Sequence, residues 1–140
     1  MIELIEKFTL ETFNIYGDSA AKRFYENLAA GKLTAVRPTR KGGLALYPPR
    51  GFDPATGTED VEWYELSGNG TLYAFTQQDR ALRFARPDVI GLVELPDLDG
   101  GRIIAKIEAP YEACKIGMPL RFVPVKISDR IYAPGFRPID

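Results

Sequence analysis

Apolar positions keep helical spacing in one stretch of this chain and shift to short extended runs further on. Ala20, Phe24 and Leu28 recur at intervals of four, Asp18 or Ser19 can cap the run and Gly31 can stop it. This predicts a helix whose inward stripe is Phe24 and Leu28. Before it, Phe8, Leu10, Phe13 and Ile15 fall at mixed spacing behind Thr9, a candidate cap for a second, short helix. Residues 1–31 are therefore expected to form a helical arm packed on the rest of the chain or on a partner. From residue 61 the predicted strands are 61–66, 71–77, 89–95, 102–109 and 120–127, with a short tail piece at 131–133. Ser67-Gly68-Asn69-Gly70 and Asp97-Leu98-Asp99-Gly100-Gly101 supply residues that accept positive φ where the chain must reverse. The stretch 111–116 interrupts the strands where an OB barrel places its crossover. The expected fold is mostly β, a five-stranded OB-fold barrel over 61–140.

Between these parts, residues 32–60 carry Pro38, Gly42, Gly43, Pro48, Pro49, Gly51, Pro54 and Gly57 around two short extended pieces, 33–37 and 44–47. Prolines and glycines at this density make turns. A segment with so little to bury is held by a metal or leans on a neighbouring surface.

Composition narrows the chemistry. The 140 residues are 45% hydrophobic and 26% charged, an ordinary globular balance, and the net charge of −1 provides no overall field to hold a polyanion. The one cysteine, Cys114, allows no internal disulfide and no cysteine cage for zinc; it reads as a small buried hydrophobe. No run of 18 or more apolar residues suggests a membrane span, and the charged start Met1-Ile2-Glu3-Leu4-Ile5-Glu6-Lys7 does not read as a signal peptide, so a cytoplasmic location is expected. Histidine is absent, which excludes Ser-His and Cys-His nucleophile pairs. With no carboxylate, lysine or tyrosine pair at a spacing that chemistry demands, the expectation is a protein that is not an enzyme.

At this point a resemblance enters. Tyr47-Pro48-Pro49-Arg50, followed by Glu62-Trp63-Tyr64-Glu65-Leu66-Ser67-Gly68-Asn69-Gly70-Thr71-Leu72-Tyr73, resembles the zinc-ribbon plus OB-fold proteins associated with acyl-CoA metabolism, a domain-of-unknown-function family. Phe84 to Pro87, then 89–95, Lys115-Ile116-Gly117-Met118-Pro119-Leu120 and Phe136-Arg137-Pro138 extend it in order over roughly residues 20 to 138. In that family four cysteines of a rubredoxin-like ribbon hold one zinc. Here Thr39, Gly42, Asp53 and Thr56 stand at those places, and neutral hydroxyls are poor zinc ligands. The resemblance thus implies a degenerate, metal-free ribbon over 32–60. It also implies an accessory role, in which the chain pairs with a thiolase-like or hydratase-like enzyme and helps hold the CoA part of its substrate.

Candidate binding residues fall into two basic clusters. Lys32, Arg37, Arg40, Lys41 and Arg50 lie between Asn27 and Phe52 with no acid among them. Guanidinium groups bind phosphate oxygens in pairs, so Arg37, Arg40, Lys41 and Arg50 are candidates for CoA contact, beside the readings of partner contact and plain solvated surface. Arg80, Arg83 and Arg86 form the second cluster. With Tyr73, Phe75 and Phe84 nearby they also suggest the alternative function, a single-stranded nucleic-acid-binding OB protein, against which the near-neutral charge stands. Trp63 is expected to pack the ribbon onto the barrel. Glu94, Asp97 and Asp99 are read as a solvated hairpin tip, not a metal site.

Overall fold

In the computed structural model, which describes residues 20–79, 88–127, 129 and 131–139, the segment with helical spacing is helix α1, Ala20–Ala29. Phe24 and Leu28 are its buried residues, as a stripe at intervals of four requires. Gly31 follows at φ 82°, a left-handed conformation that a side chain would strain, and the chain turns away there. The short helix expected upstream falls on residues outside the described ones.

Strand β1, Thr34–Pro38, pairs antiparallel with β2, Val61–Glu65, in the register Thr34↔Glu65 to Pro38↔Val61. Leu46 adds an antiparallel bridge to Val36, its N–H donating to the Val36 carbonyl at 2.8 Å. The segment 39–60 is thus the looped-out middle of a two-stranded ribbon. This corrects one expectation: the strand at 61–66 does not open the barrel but is the return limb of the ribbon. Its alternation marks which face is covered and says nothing of which strand lies beside it. Leu66 N–H donates to the Leu33 carbonyl at 2.8 Å, and Gly68 at φ 84° redirects the chain into the barrel.

The barrel consists of β3 (Asn69–Gln78), β4 (Asp88–Glu94), β5 (Arg102–Ile107), β6 (Pro119–Lys126) and β7 (Tyr132–Pro138), closed in the order β3-β4-β5-β7-β6. All pairs are antiparallel except β5 with β7, and β3 with β6 closes the ring. This is the five-stranded mixed barrel of an OB fold. The 3₁₀ turn Tyr111–Ala113 occupies the crossover between β5 and β6, as the interruption at 111–116 predicts. The tail is longer than its sequence signal. Pro134 and Pro138 mask a strand that runs from Tyr132 and lies between β5 and β6, and at Gly135 an added Cβ would collide with the Val125 side chain.

One core joins the three sequence segments. Leu72, Val93, Ile103, Ile107, Leu120 and Phe136 fill the barrel, and Phe24 and Leu28 of α1 with Leu33, Ala35 and Leu66 of the ribbon join the same cluster. Each of these side chains larger than Ala35 contributes about 1.5–3 kcal/mol of burial. Trp63 is half-buried against this cluster, with the Arg23 guanidinium 4.4 Å above its ring. Cys114 is buried, and its thiol donates to the Pro110 carbonyl at 3.4 Å. Burial pushes that thiol above its ordinary pKa, with Glu112 adding to the effect, so it is an inert hydrophobe.

Candidate functional site

The basic residues of the ribbon do not form one open phosphate cradle. Arg37, on β1, donates from Nη2 to Asp99 Oδ1 and Oδ2 at 3.2 and 3.1 Å, and its guanidinium lies 4.8 Å from the Tyr64 ring centre. Arg40 donates from Nε to Asp53 Oδ2 at 2.6 Å. Both guanidinium groups thus face carboxylates supplied from elsewhere in the chain, while Lys32, Lys41 and Arg50 are exposed. The run from 27 to 52 looks uniformly positive only because the acids that answer it lie beyond it. Arg80, Arg83 and Arg86 lie outside the described residues, as does Phe84.

The ribbon turns hold Thr39, Gly42, Asp53 and Thr56 where the resembled family has its zinc cysteines. Asp53 is 2% exposed, and besides the Arg40 contact its Oδ1 accepts the Ala55 N–H at 2.9 Å. The Arg40 guanidinium, with that amide, holds the Asp53 carboxyl below the usual carboxylate range against the opposing effect of burial. Thr39 Oγ1 donates to the Asp60 carbonyl at 3.3 Å, Thr56 Oγ1 is 2.9 Å from Thr58 Oγ1, and Gly42 offers no side chain. Among the described residues no three His, Cys, Asp or Glu side chains come together as a metal-holding group. One carboxylate already engaged by a guanidinium, with two neutral hydroxyls, does not fit zinc.

The acidic turn between β4 and β5 does more than meet solvent. It contains the 3₁₀ turn Pro96–Leu98, then Asp99 at φ 52° and Gly100 at φ 81°. Asp97 accepts the Ser67 N–H at Oδ2, 2.6 Å, and its carbonyl accepts the Tyr64 hydroxyl at 2.8 Å. Asp99 Oδ2 accepts the Ala45 N–H at 2.7 Å in addition to Arg37. That amide and the guanidinium hold the Asp99 carboxyl below its ordinary range. Burial raises the Tyr64 phenol, with Arg37 opposing it. The expectation of a merely solvated tip is thereby corrected: these two residues, though Asp99 is exposed, also fasten the ribbon to the barrel.

Where α1, the ribbon and β5 meet there is a cavity of about 420 Å³ lined chiefly by Phe24, Tyr25, Tyr47, Pro48, Arg102 and Ile104. Tyr47–Pro48 is a cis peptide, and Tyr47 meets Phe24 edge-on at 5.5 Å. Burial raises the Tyr47 phenol well above its ordinary range. Beside the cavity, Ile104 stands 70% exposed on β5, and on the ribbon Leu44 is 66% exposed and Phe52 is also in water. Sequence reasoning gave Leu44, Phe52 and Ile104 no role, because their exposure is set by the tertiary fold. At the other end of β5 lies a wider groove of about 1040 Å³, whose lining includes Lys106, Glu108, Glu112, Lys126 and Arg137. Lys106 pairs with the buried Asp88 across β4 and β5. Acids and bases alternate in this groove, so it has no single sign. Of the aromatic residues weighed for base stacking, the two described ones are engaged: Arg102 lies 3.6 Å from the Tyr73 ring centre, and Phe75 meets Tyr111 edge-on at 5.3 Å. Among the described residues no helix is long and apolar enough to cross a membrane.

The family model described as the C-terminal OB-fold domain of ChsH2 matches residues 63–124. No curated protein matches the chain. A chain of the Ltp2-ChsH2(DUF35) aldolase is similar over 87% of this chain and 95% of its own length, at 24% identity and a TM-score of 0.72. A DUF35-family protein of unknown function from Sulfolobus solfataricus is similar over 97% of this chain and 98% of its own, at 15% identity and a TM-score of 0.57. Identities of this size establish a shared fold and no more. Residues 63–124 therefore match the OB-fold domain described for ChsH2, in a chain that shares its overall fold with DUF35 proteins.

Proposed function

We propose that this chain is a non-catalytic accessory subunit that docks on a thiolase-like or hydratase-like acyl-CoA enzyme and helps hold the CoA part of its substrate. The observation that carries the docking is that Ile104, in the lining of the cavity under α1, is largely in water, as are Leu44 and Phe52 on the ribbon. A large exposed apolar side chain in a concave, largely apolar surface marks a contact site in a soluble protein. The absence of histidine fits a chain whose chemistry resides in a companion. The similar chain from the Ltp2-ChsH2(DUF35) aldolase supports the subunit reading, since that protein carries two component names.

For the CoA phosphates the ribbon offers Lys41 and Arg50, both exposed, and Arg80, Arg83 and Arg86 remain candidates from the sequence. Arg37 and Arg40 serve this reading indirectly, by shaping the loop that presents Lys41. Capture of the full chain from its native cell, followed by mass spectrometry, is expected to bring down a larger acyl-CoA condensing or hydrating enzyme. The chain alone is expected to leave acyl-CoA substrates unchanged, and the paired substitution Lys41→Ala/Arg50→Ala to raise the KM of the complex for acyl-CoA. Turnover by the isolated chain, or capture of no such enzyme, contradicts the proposal.

A further inference from the structure

We infer that the Arg40–Asp53 ion pair closes the ribbon in place of a metal ion, so that this element folds and holds without zinc. The inference rests on the ribbon geometry and on the ligand places the resemblance assigns, and stands apart from the docking role. A loop of this size between two five-residue strands buries too little to hold its own shape, and needs a cross-link between its turns. The two turns in question are the ones to which the resemblance assigns the ligand pairs. In the second, Asp53 gathers the backbone. Its N–H donates to the Thr58 carbonyl at 2.8 Å, its carbonyl accepts the Gly57 N–H at 2.7 Å, and its Oδ1 accepts the Ala55 N–H. Gly57, at φ 73°, lets the chain turn back so closely. An anionic oxygen thus occupies the place from which a ligand atom would receive the turn's amides.

The first turn supplies the opposite charge. Thr39 N–H donates to the Asp60 carbonyl at 3.0 Å and Gly43 N–H to the Arg40 carbonyl at 3.1 Å, which fixes the backbone on either side of Arg40. From there the Arg40 Nε reaches Asp53 Oδ2 at 2.6 Å, a charge-assisted hydrogen bond whose acceptor is almost wholly out of water. Each carboxylate oxygen then has a donor. A cation entering the turn would have to expel Arg40 and would find only neutral hydroxyls as further ligands. The pair spans from one turn to the other, which is the connection a shared metal would make.

The test uses the full chain and three readings: its metal content, its thermal midpoint with and without a strong chelator, and amide exchange at Asp53, Ala55 and Gly57 in the wild type and in Arg40→Ala. The expected result is far less than one zinc per chain, a midpoint that chelator leaves in place, and exchange at these amides about tenfold faster or more in R40A while Val93 and Leu120 exchange as before. Arg40→Lys, which keeps the charge with a differently shaped donor, is expected to fall between the two. One zinc per chain, a midpoint lowered by chelator, or wild-type exchange at the ribbon amides of R40A overturns the inference. Should R40A fail to fold, the metal and chelator readings on the wild type and the exchange in R40K decide it.

Discussion

The barrel and the ribbon are held by different physics. The barrel encloses Leu72, Val93, Ile103, Ile107, Leu120 and Phe136 within a closed ladder of strands, so its stability is spread over many apolar contacts and many backbone hydrogen bonds. The ribbon has two short strands, and Leu33, Ala35 and Leu66, with the partly buried Ala45, Tyr47, Trp63 and Tyr64, join it to the buried cluster. The rest of its attachment runs through a few polar links, Arg37 and Ala45 to Asp99 and Ser67 and Tyr64 to Asp97, while Arg40 to Asp53 ties one of its turns to the other. A closed apolar barrel absorbs the loss of a surface contact, whereas a ribbon fastened at points depends on individual residues. The ribbon is therefore expected to open before the barrel does, and opening of this kind suits a surface that meets a partner.

Substitutions sharpen the contrast, beginning with the core. Phe136→Ala removes a fully buried ring from the barrel centre and is expected to cost about 3–5 kcal/mol of global stability, read as a lower midpoint in urea unfolding. If only the ribbon responded, the two regions would not be divided as described. Asp99→Ala removes the acceptor shared by Ala45 and Arg37, and is expected to cost about 1–2 kcal/mol confined to the ribbon. Faster amide exchange at Ala45 and Leu46 with unchanged exchange in β4 and β5 would show it.

Acid acts on the same latch. Because the folded carboxyl of Asp99 titrates below its ordinary value, its stabilising effect is complete above the ordinary carboxylate pKa and fades as pH falls through the depressed one. Trp63, the single tryptophan, lies in the ribbon, so its fluorescence is expected to change during acidification before the circular dichroism of the barrel does. Coincident transitions would contradict separate fastening. The smallest effect expected is that of Tyr64→Phe. It deletes one hydroxyl bond to Asp97, and about 0.5–1.5 kcal/mol of ribbon attachment, again visible by amide exchange.

How far the sequence discloses this molecule follows from the range of each interaction. Helix α1 is legible because Phe24, Leu28 and Gly31 lie within a few residues of one another. Strands β4 and β5 are legible because Val89, Gly91, Val93 and Leu95, then Ile103, Ala105 and Ile107, alternate inward. Strand β7 shows only its first residues, since Pro134 and Pro138 interrupt the pattern although the ladder accepts them. The ribbon partnership of β2 is hidden, because alternation reports a face and not a neighbour. The candidate site is obscured for the same reason on a larger scale. Asp53 stands 13 residues from Arg40 and Asp99 stands 62 from Arg37, so a count of local charge finds a basic patch where the fold makes two ion pairs. Leu44, Phe52 and Ile104 carry no sequence signal at all, because their exposure depends on what the tertiary fold leaves uncovered.

On the proposed function, the ribbon and the α1 face, resting on a stable barrel, are what this chain offers to an enzyme. Amide hydrogen exchange of the full chain, free and bound to the enzyme captured with it, decides this. New protection is expected at 44–52 and around Ile104, with the groove lined by Glu108, Glu112 and Lys126 unchanged. Protection confined to that groove, or none at the ribbon, would contradict it.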